Sequence, residues 1–162
     1  SCTMLTYTNP RPYNSIGGQP LAEAIQGYLA DAGVDMDIVS YDWTTYQTKV
    51  DTDAFDCCLY GWVGDNGDPD NFMNLLADEN VSMNVGRYRS DAYNQLIQQG
   101  LSTPDGDERD AIYKQCEQMV ADEMPWMLIS HAKNLAAYAP SINNFYYHPT
   151  GVVHMELVTK TA

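Results

Sequence analysis

Cations are scarce in this chain, and most of the signatures that announce a chemistry are missing from it. Eight Lys and Arg stand against 22 Asp and Glu, a net charge of −14. Phosphate backbones would be repelled, which excludes nucleic-acid binding through a basic face. The four cysteines (Cys2, Cys57, Cys58, Cys116) form no CxxC pair and no metal-finger spacing. Cys57 and Cys58 are adjacent, so in a strand they point to opposite faces and cannot share one ion. Free thiols are expected, with a single disulfide left open. Only three histidines occur, His131, His148 and His154, and none has an acid or cysteine at ligand spacing. There is no phosphate loop, no G-x-G-x-x-G and no G-x-S-x-G elbow. The longest apolar runs, such as Met124 to Ile129, fall far short of a bilayer span. Neither an initiating Met nor a signal-peptide pattern is present, so the chain is expected to be an excised or mature segment.

What is present is a folded domain's worth of apolar residues, 44% of 162, without a low-complexity tract. Residues 3–8 read as a strand that stops at Asn9-Pro10-Arg11-Pro12-Tyr13-Asn14, where two prolines hold an extended turn. From about Pro20, Leu21, Ala24, Ile25, Tyr28, Leu29 and Ala32 recur at helical spacing, and Gly33 is a natural stop. Val34 to Tyr41 reads as a strand, Trp43 to Val50 as a short helix, and Phe55 to Tyr60 as a third strand. This order predicts an α/β fold: a small, mainly parallel sheet with flanking crossover helices and the first strand central. Two helical stripes follow, Tyr93-Leu96-Ile97-Leu101 and Ile112-Cys116-Met119-Val120, with Asp107 the expected cap of the second. Strand-like pieces at Met127–Ser130, Asn134–Tyr138 and Val152–Val158 close the chain.

The third strand feeds Gly61-Trp62-Val63-Gly64-Asp65-Asn66-Gly67-Asp68-Pro69-Asp70-Asn71-Phe72. Asp68 is placed to cap a helix with Pro69 at its first position. A loop at the carboxyl end of a strand in such a sheet is where ligands bind, which selects Trp62 and Asp65. As a calcium loop beginning at Asp65 it fails, because its sixth and twelfth places are Asp70 and Leu76. A weak surface site through Asp65, Asp68 and Asp70 is the most it offers. Arg11, in its rigid turn, suits a bidentate grip on a carboxylate. With the first and third strands adjacent, Arg11 and Asp65 flank one edge, and a zwitterion such as a short peptide satisfies both. Their pairing with each other or with solvent is the open alternative, as is a core role for Trp62. A metal-dependent hydrolase using the acidic loop is the rival class. It requires a bound ion or a histidine within reach of Asp65.

At these residues the sequence resembles the bacterial peptide/nickel solute-binding proteins of ABC importers (extracellular solute-binding family 5), nearest their dipeptide-binding subgroup. The segment Gly61 to Phe72 carries the resemblance. Arg11-Pro12-Tyr13-Asn14, Ile38 to Trp43, Gly86-Arg87-Tyr88, Pro125-Trp126 with Ser130-His131, and Tyr147 to Leu157 agree in order. The resemblance implies the C-terminal lobe of a periplasmic-binding-protein-like type II fold. Residues 1–132 would be that lobe, incomplete at its N-terminal side, and residues 133–162 would return toward the N-terminal lobe of the same polypeptide. It further implies that Asp65 receives a peptide amino group and Arg11 a carboxylate, with Tyr13, Trp62, Val63 and Gly64 lining the site. Val63 stands where a hydroxyl residue is often found, which leaves one polar contact fewer. No cofactor, no resident metal and no catalysis are implied. The expected partners are a short peptide and a membrane permease, at the periplasm or outer face of a bacterial membrane, lipoprotein-anchored. Relatives that take oligopeptides, nickel chelates, haem or sugars are the alternatives within the family.

Overall fold

The computed structural model describes residues 1–52 and 54–161. Three parallel strands, β1 (Cys2–Tyr7), β2 (Met36–Tyr41) and β3 (Cys57–Cys58), lie in the order β2-β1-β3. The first strand is therefore central, as its alternation and the chain order predict. β1 pairs with β2 from Cys2↔Met36 to Tyr7↔Tyr41, and with β3 through Met4↔Cys57 and Leu5↔Cys58. Met4, Leu5, Thr6 and Tyr7 are buried in succession, the pattern of a strand covered on both faces.

Helix α1 (Gly18–Asp31) and helix α2 (Trp43–Thr52) make the crossovers. Behind α1, Gly33 takes φ +80 and donates its N–H to the Ala30 carbonyl, and Val34 donates to Leu29. These bonds satisfy carbonyls that the helix end would otherwise leave open. The start of α2 is tied down twice. The Asp42 carboxylate accepts from the Thr44 and Thr45 amides, and Asn9 Oδ1 accepts from the Trp43 amide at 2.9 Å. The second bond staples the turn after β1 to the turn after β2. Met4, Leu5, Tyr7, Ala22, Met36, Tyr46, Val50 and Leu59 form the core of this layer.

A second core is helical. Helix α3 (Asp70–Met73), a 3-10 turn (Asn74–Leu76), helix α4 (Asp91–Ser102) and helix α5 (Asp107–Glu123) bury Leu76, Ala77, Tyr93, Ile97, Tyr113, Cys116 and Val120. Ser90 Oγ caps α4 by accepting from the Tyr93 amide. Both helical stripes face inward, except that Leu101 is 49% exposed. Asp107 is the first residue of α5 and its side chain caps nothing; Gly106, at φ 142, occupies the cap. All four cysteines are free thiols.

Three further expectations are corrected. The third strand is two residues long, not six, because only Cys57 and Cys58 reach the β1 ladder. Met127–Ser130 and Asn134–Tyr138 carry apolar side chains but pair with no strand among the described residues. Val152–Val158 breaks into a bridge between Tyr147 and Val153 and a 3-10 turn (Met155–Leu157). Beyond it, β4 (Ile142–Asn143) and β5 (Thr159–Lys160) make a separate antiparallel pair. Among the described residues, no helix is long and apolar enough to cross a membrane.

Candidate functional site

The carboxyl ends of the three parallel strands deliver aromatic rings to one place. Tyr7 ends β1, Trp43 follows β2, and Tyr60 follows β3. Tyr7 stands edge-on to Tyr13, Trp43 and Tyr46 with centroids 6.4, 5.4 and 5.4 Å apart. Trp43 and Tyr60 are 5.8 Å apart. Edge-to-face and tilted packing of this kind adds to what area burial alone contributes. Tyr46 lies beneath the cluster and donates its hydroxyl to the Leu59 carbonyl, which fixes the start of the following loop.

Arg11 sits on this aromatic floor, its guanidinium carbon 3.9 Å from the Trp43 ring centroid. That is cation–π distance. The turn holding it is closed by reciprocal backbone bonds between Arg11 and Asn14, and by Asn14 Nδ2 donating to the Gly17 carbonyl at 2.8 Å. Arg11 Nε and the Tyr13 hydroxyl are buried and bond to nothing outside this pair. Burial pushes the Tyr13 phenol up to about 12, and the neighbouring Arg11 opposes the shift as hydrogen-bond donor and as charge. A guanidinium held in place this way suits an anion with two acceptor oxygens.

The loop Gly61–Pro69 runs alongside. Tyr13 lies so flat on Gly61 that an added Cβ there would fall 2.4 Å from Tyr13 Cδ2, and Phe72 lies against Gly64 in the same way, at 2.7 Å. Trp62, Val63 and Gly64 are half-buried and Asp65 is exposed. Trp62 Nε1 donates to Asn71 Oδ1 at 2.8 Å, and the Asp65 amide donates to the same oxygen at 3.1 Å. Asn71 Nδ2 in turn donates to Asp65 Oδ2 at 3.3 Å. Among the described residues Arg11 and Asp65 form no ion pair with each other, which leaves solvent as the alternative partner of each. Tyr13 on Gly61 brings the Arg11 turn against the start of the loop.

The other two acids of the loop are structural. Asp68 Oδ1 accepts from the Asp70 amide at 2.8 Å, which is the cap the sequence predicts, with α3 beginning one residue later than expected. The same oxygen takes a 2.8 Å ion pair from Arg109, whose guanidinium holds the Asp68 carboxyl below its ordinary range. Arg109 is 9% exposed and also donates to the Gly100 carbonyl, Asp105 and Tyr113. Tyr113 donates to Asp70 Oδ1 at 3.3 Å. Asp65, Asp68 and Asp70 therefore serve three different sets of partners, which removes even the weak calcium reading. No group of three His, Cys, Asp or Glu stands together as a metal site among the described residues. His148 and His154 pack ring to ring in the C-terminal segment, bonded to Thr150 and Glu156. No histidine is hydrogen-bonded to Asp65.

Arg11 and Tyr13 lie in the turn after β1, and Trp62, Val63, Gly64 and Asp65 in the loop after β3. Sequence reasoning missed Trp43 as the floor under Arg11, Asn71 as the link between Trp62 and Asp65, and Arg109 as the anchor of the loop. The Asn9-to-Trp43 bond had no sequence signal. Asn71 lay inside the motif, but nothing in its residue type marked it as a link between Trp62 and Asp65.

Comparison with known proteins gives one consistent answer. The model of the bacterial extracellular solute-binding proteins, family 5 (middle region), matches residues 4–84. The chain is 30% identical to heme-binding protein A of Haemophilus influenzae over 146 residues, 89% of this chain and 26% of that protein. It is 33% identical to a dipeptide-binding protein of Pseudomonas aeruginosa over 141 residues, 86% of this chain and 26% of that protein. It superposes on the dipeptide-binding protein of Pseudoalteromonas sp. SM9913, solved in complex with Met-Leu, with a TM-score of 0.82 at 24% identity. That match covers 99% of this chain and 32% of the other. The fold is the same. The chain spans about a quarter of the length of the curated relatives it matches.

Proposed function

Because the chain belongs to the bacterial extracellular solute-binding proteins of family 5, we propose that it is the lobe with which such a protein captures short peptides for an ABC importer. The observation that carries this reading is the Arg11 guanidinium held over the Trp43 ring beside the buried Tyr13 hydroxyl. Tyr13 packs on Gly61, at the start of the loop that carries the exposed Asp65. Arg11 and Tyr13 take the peptide's C-terminal carboxylate, Asp65 takes its α-amino group, and Trp62, Val63 and Gly64 wall the side chains. The relatives named for dipeptides support this assignment. Haem carries two carboxylates but no ammonium group for Asp65 to receive. The matching family is one of solute-binding proteins, and in this reading the site captures its ligand without catalysis.

In this reading the N-terminal lobe of the same polypeptide closes over the ligand, and residues 133–161 pack against that lobe. The closed form docks on the membrane permease at the periplasmic or outer face of the membrane, held there by a lipid anchor. Calorimetry of the whole polypeptide with a dipeptide panel tests the ligand assignment. Asp65→Ala is expected to weaken binding by about 2–5 kcal/mol, the usual cost of leaving a buried charge unpaired. Absence of binding across the panel, or an unchanged affinity in the variant, overturns the assignment.

A further inference from the structure

The amide of Asn71 does three things at once. Its oxygen accepts from both the Trp62 indole and the Asp65 backbone, and its nitrogen donates to Asp65 Oδ2. It stands on α3, which Asp68 and Asp70 fasten to Arg109 and Tyr113 of α5. The loop between Gly61 and Pro69 has no regular structure of its own, and this side chain is the one hydrogen-bonded to both its half-buried indole and its exposed carboxylate. The amide makes these bonds from two atoms, its oxygen taking Trp62 and the Asp65 amide while its nitrogen reaches Asp65 Oδ2. A carboxylate would set a second negative charge against Asp65, and a hydroxyl would have to reach all three partners from a single atom.

We propose that Asn71 is the positioning residue that sets selectivity for a free ammonium group. It fixes the Asp65 carboxylate by one oxygen and leaves the other for the ligand, with Trp62 locked beside it as a wall. The inference rests on the peptide-capture reading above. Preorganisation of this kind acts on ligands that use Asp65 and leaves others nearly untouched.

The test compares dipeptides, Met-Leu among them, with their N-acetylated forms by calorimetry on the whole polypeptide. The wild-type protein is expected to prefer the free amine. Asn71→Ala is expected to lose tenfold or more for the free dipeptide and less than twofold for the acetylated one, which collapses the preference. A residue that merely holds the fold would weaken both forms alike, and that result overturns the proposal. Asn71→Asp keeps the shape and covers the case in which the alanine variant folds poorly. Its two carboxylates would share a proton, so the preference should weaken toward acid between about pH 7 and 5, a window below the titration of the ligand's own α-amino group. A flat profile in Asn71→Asp also overturns the proposal. If wild type binds both forms equally, or binds neither, the Asp65 assignment fails and the role of Asn71 with it. If wild type discriminates and Asn71→Ala still does, only the Asn71 inference falls.

Discussion

A phenol and a glycine show how finely single residues set this surface. Tyr13 is buried because Gly61 has no side chain to hold it off. Gly61→Ala places a Cβ 2.4 Å from Tyr13 Cδ2, and since the ring is rigid it must swing outward. The expected outcome is that the Tyr13 phenol returns from about 12 toward its ordinary 10. Ultraviolet titration of phenolate checks this, with Tyr13→Phe subtracted to isolate one tyrosine among 12. The sign also bears on stability. A phenol whose pKa is raised in the folded state contributes stability that is whole below 10 and is lost as pH rises through about 12. Gly61→Ala should therefore flatten the alkaline limb of the melting curve, and an unchanged titration would mean that the ring is not held by this contact.

At the scale of elements, the site depends on a tie between the sheet layer's loop and the helical layer. The two cores share no buried residue. Asp68 to Arg109 and Asp70 to Tyr113 are the polar links that fasten the loop's helix to α5. The Asp68 carboxyl is depressed chiefly by its hydrogen bond from Arg109. A depressed carboxylate contributes stability that is present above its unfolded value of 3.8 and lost as pH falls through its folded one. Asp68→Asn should thus melt several degrees below wild type at neutral pH, and the two should converge as pH falls below about 3.8. Parallel melting curves across that window would show that the pair carries no pH-linked stability.

The elements also show what a sequence can disclose. The order β2-β1-β3 was legible because three apolar runs, separated by helical spacings and glycine or proline stops, admit few topologies. Arg11 and Asp65 were legible as rare charges at strand ends. The length of β3 was not, since Phe55 to Tyr60 is apolar throughout and apolarity does not say where a ladder stops. Arg109 was hidden because its partner Asp68 is 41 residues away in sequence. Asn71 was hidden because an amide acts through geometry, and residue type alone leaves no trace of that.

The whole molecule is unevenly finished, and its C-terminal quarter bears on what the chain works with. The first 123 residues bury two cores, yet after α5 large apolar side chains stand in the open. Leu128 is 78% exposed, Leu135 92%, Met155 63% and Leu157 58%. Apolar surface on this scale is a docking surface or a liability. The β4–β5 pair and the Tyr147–Val153 bridge hold the segment's shape but bury little of it. Its strand-like alternation without a strand partner has a direct physical account if the partner strands belong to the N-terminal lobe proposed above. Hydrogen exchange distinguishes the cases, because backbone amides are protected only when paired and covered. In the whole polypeptide, amides of Asn134–Tyr138 and Val152–Val158 should exchange slowly. In the 162-residue chain alone they should exchange at nearly unfolded rates, while the β1 amides stay slow in both. Fast exchange of the C-terminal segment in the whole polypeptide would overturn the packing of residues 133–161 on another lobe. The peptide assignment of Arg11 and Asp65 would stand independently, because those residues lie on the sheet layer and not on the segment.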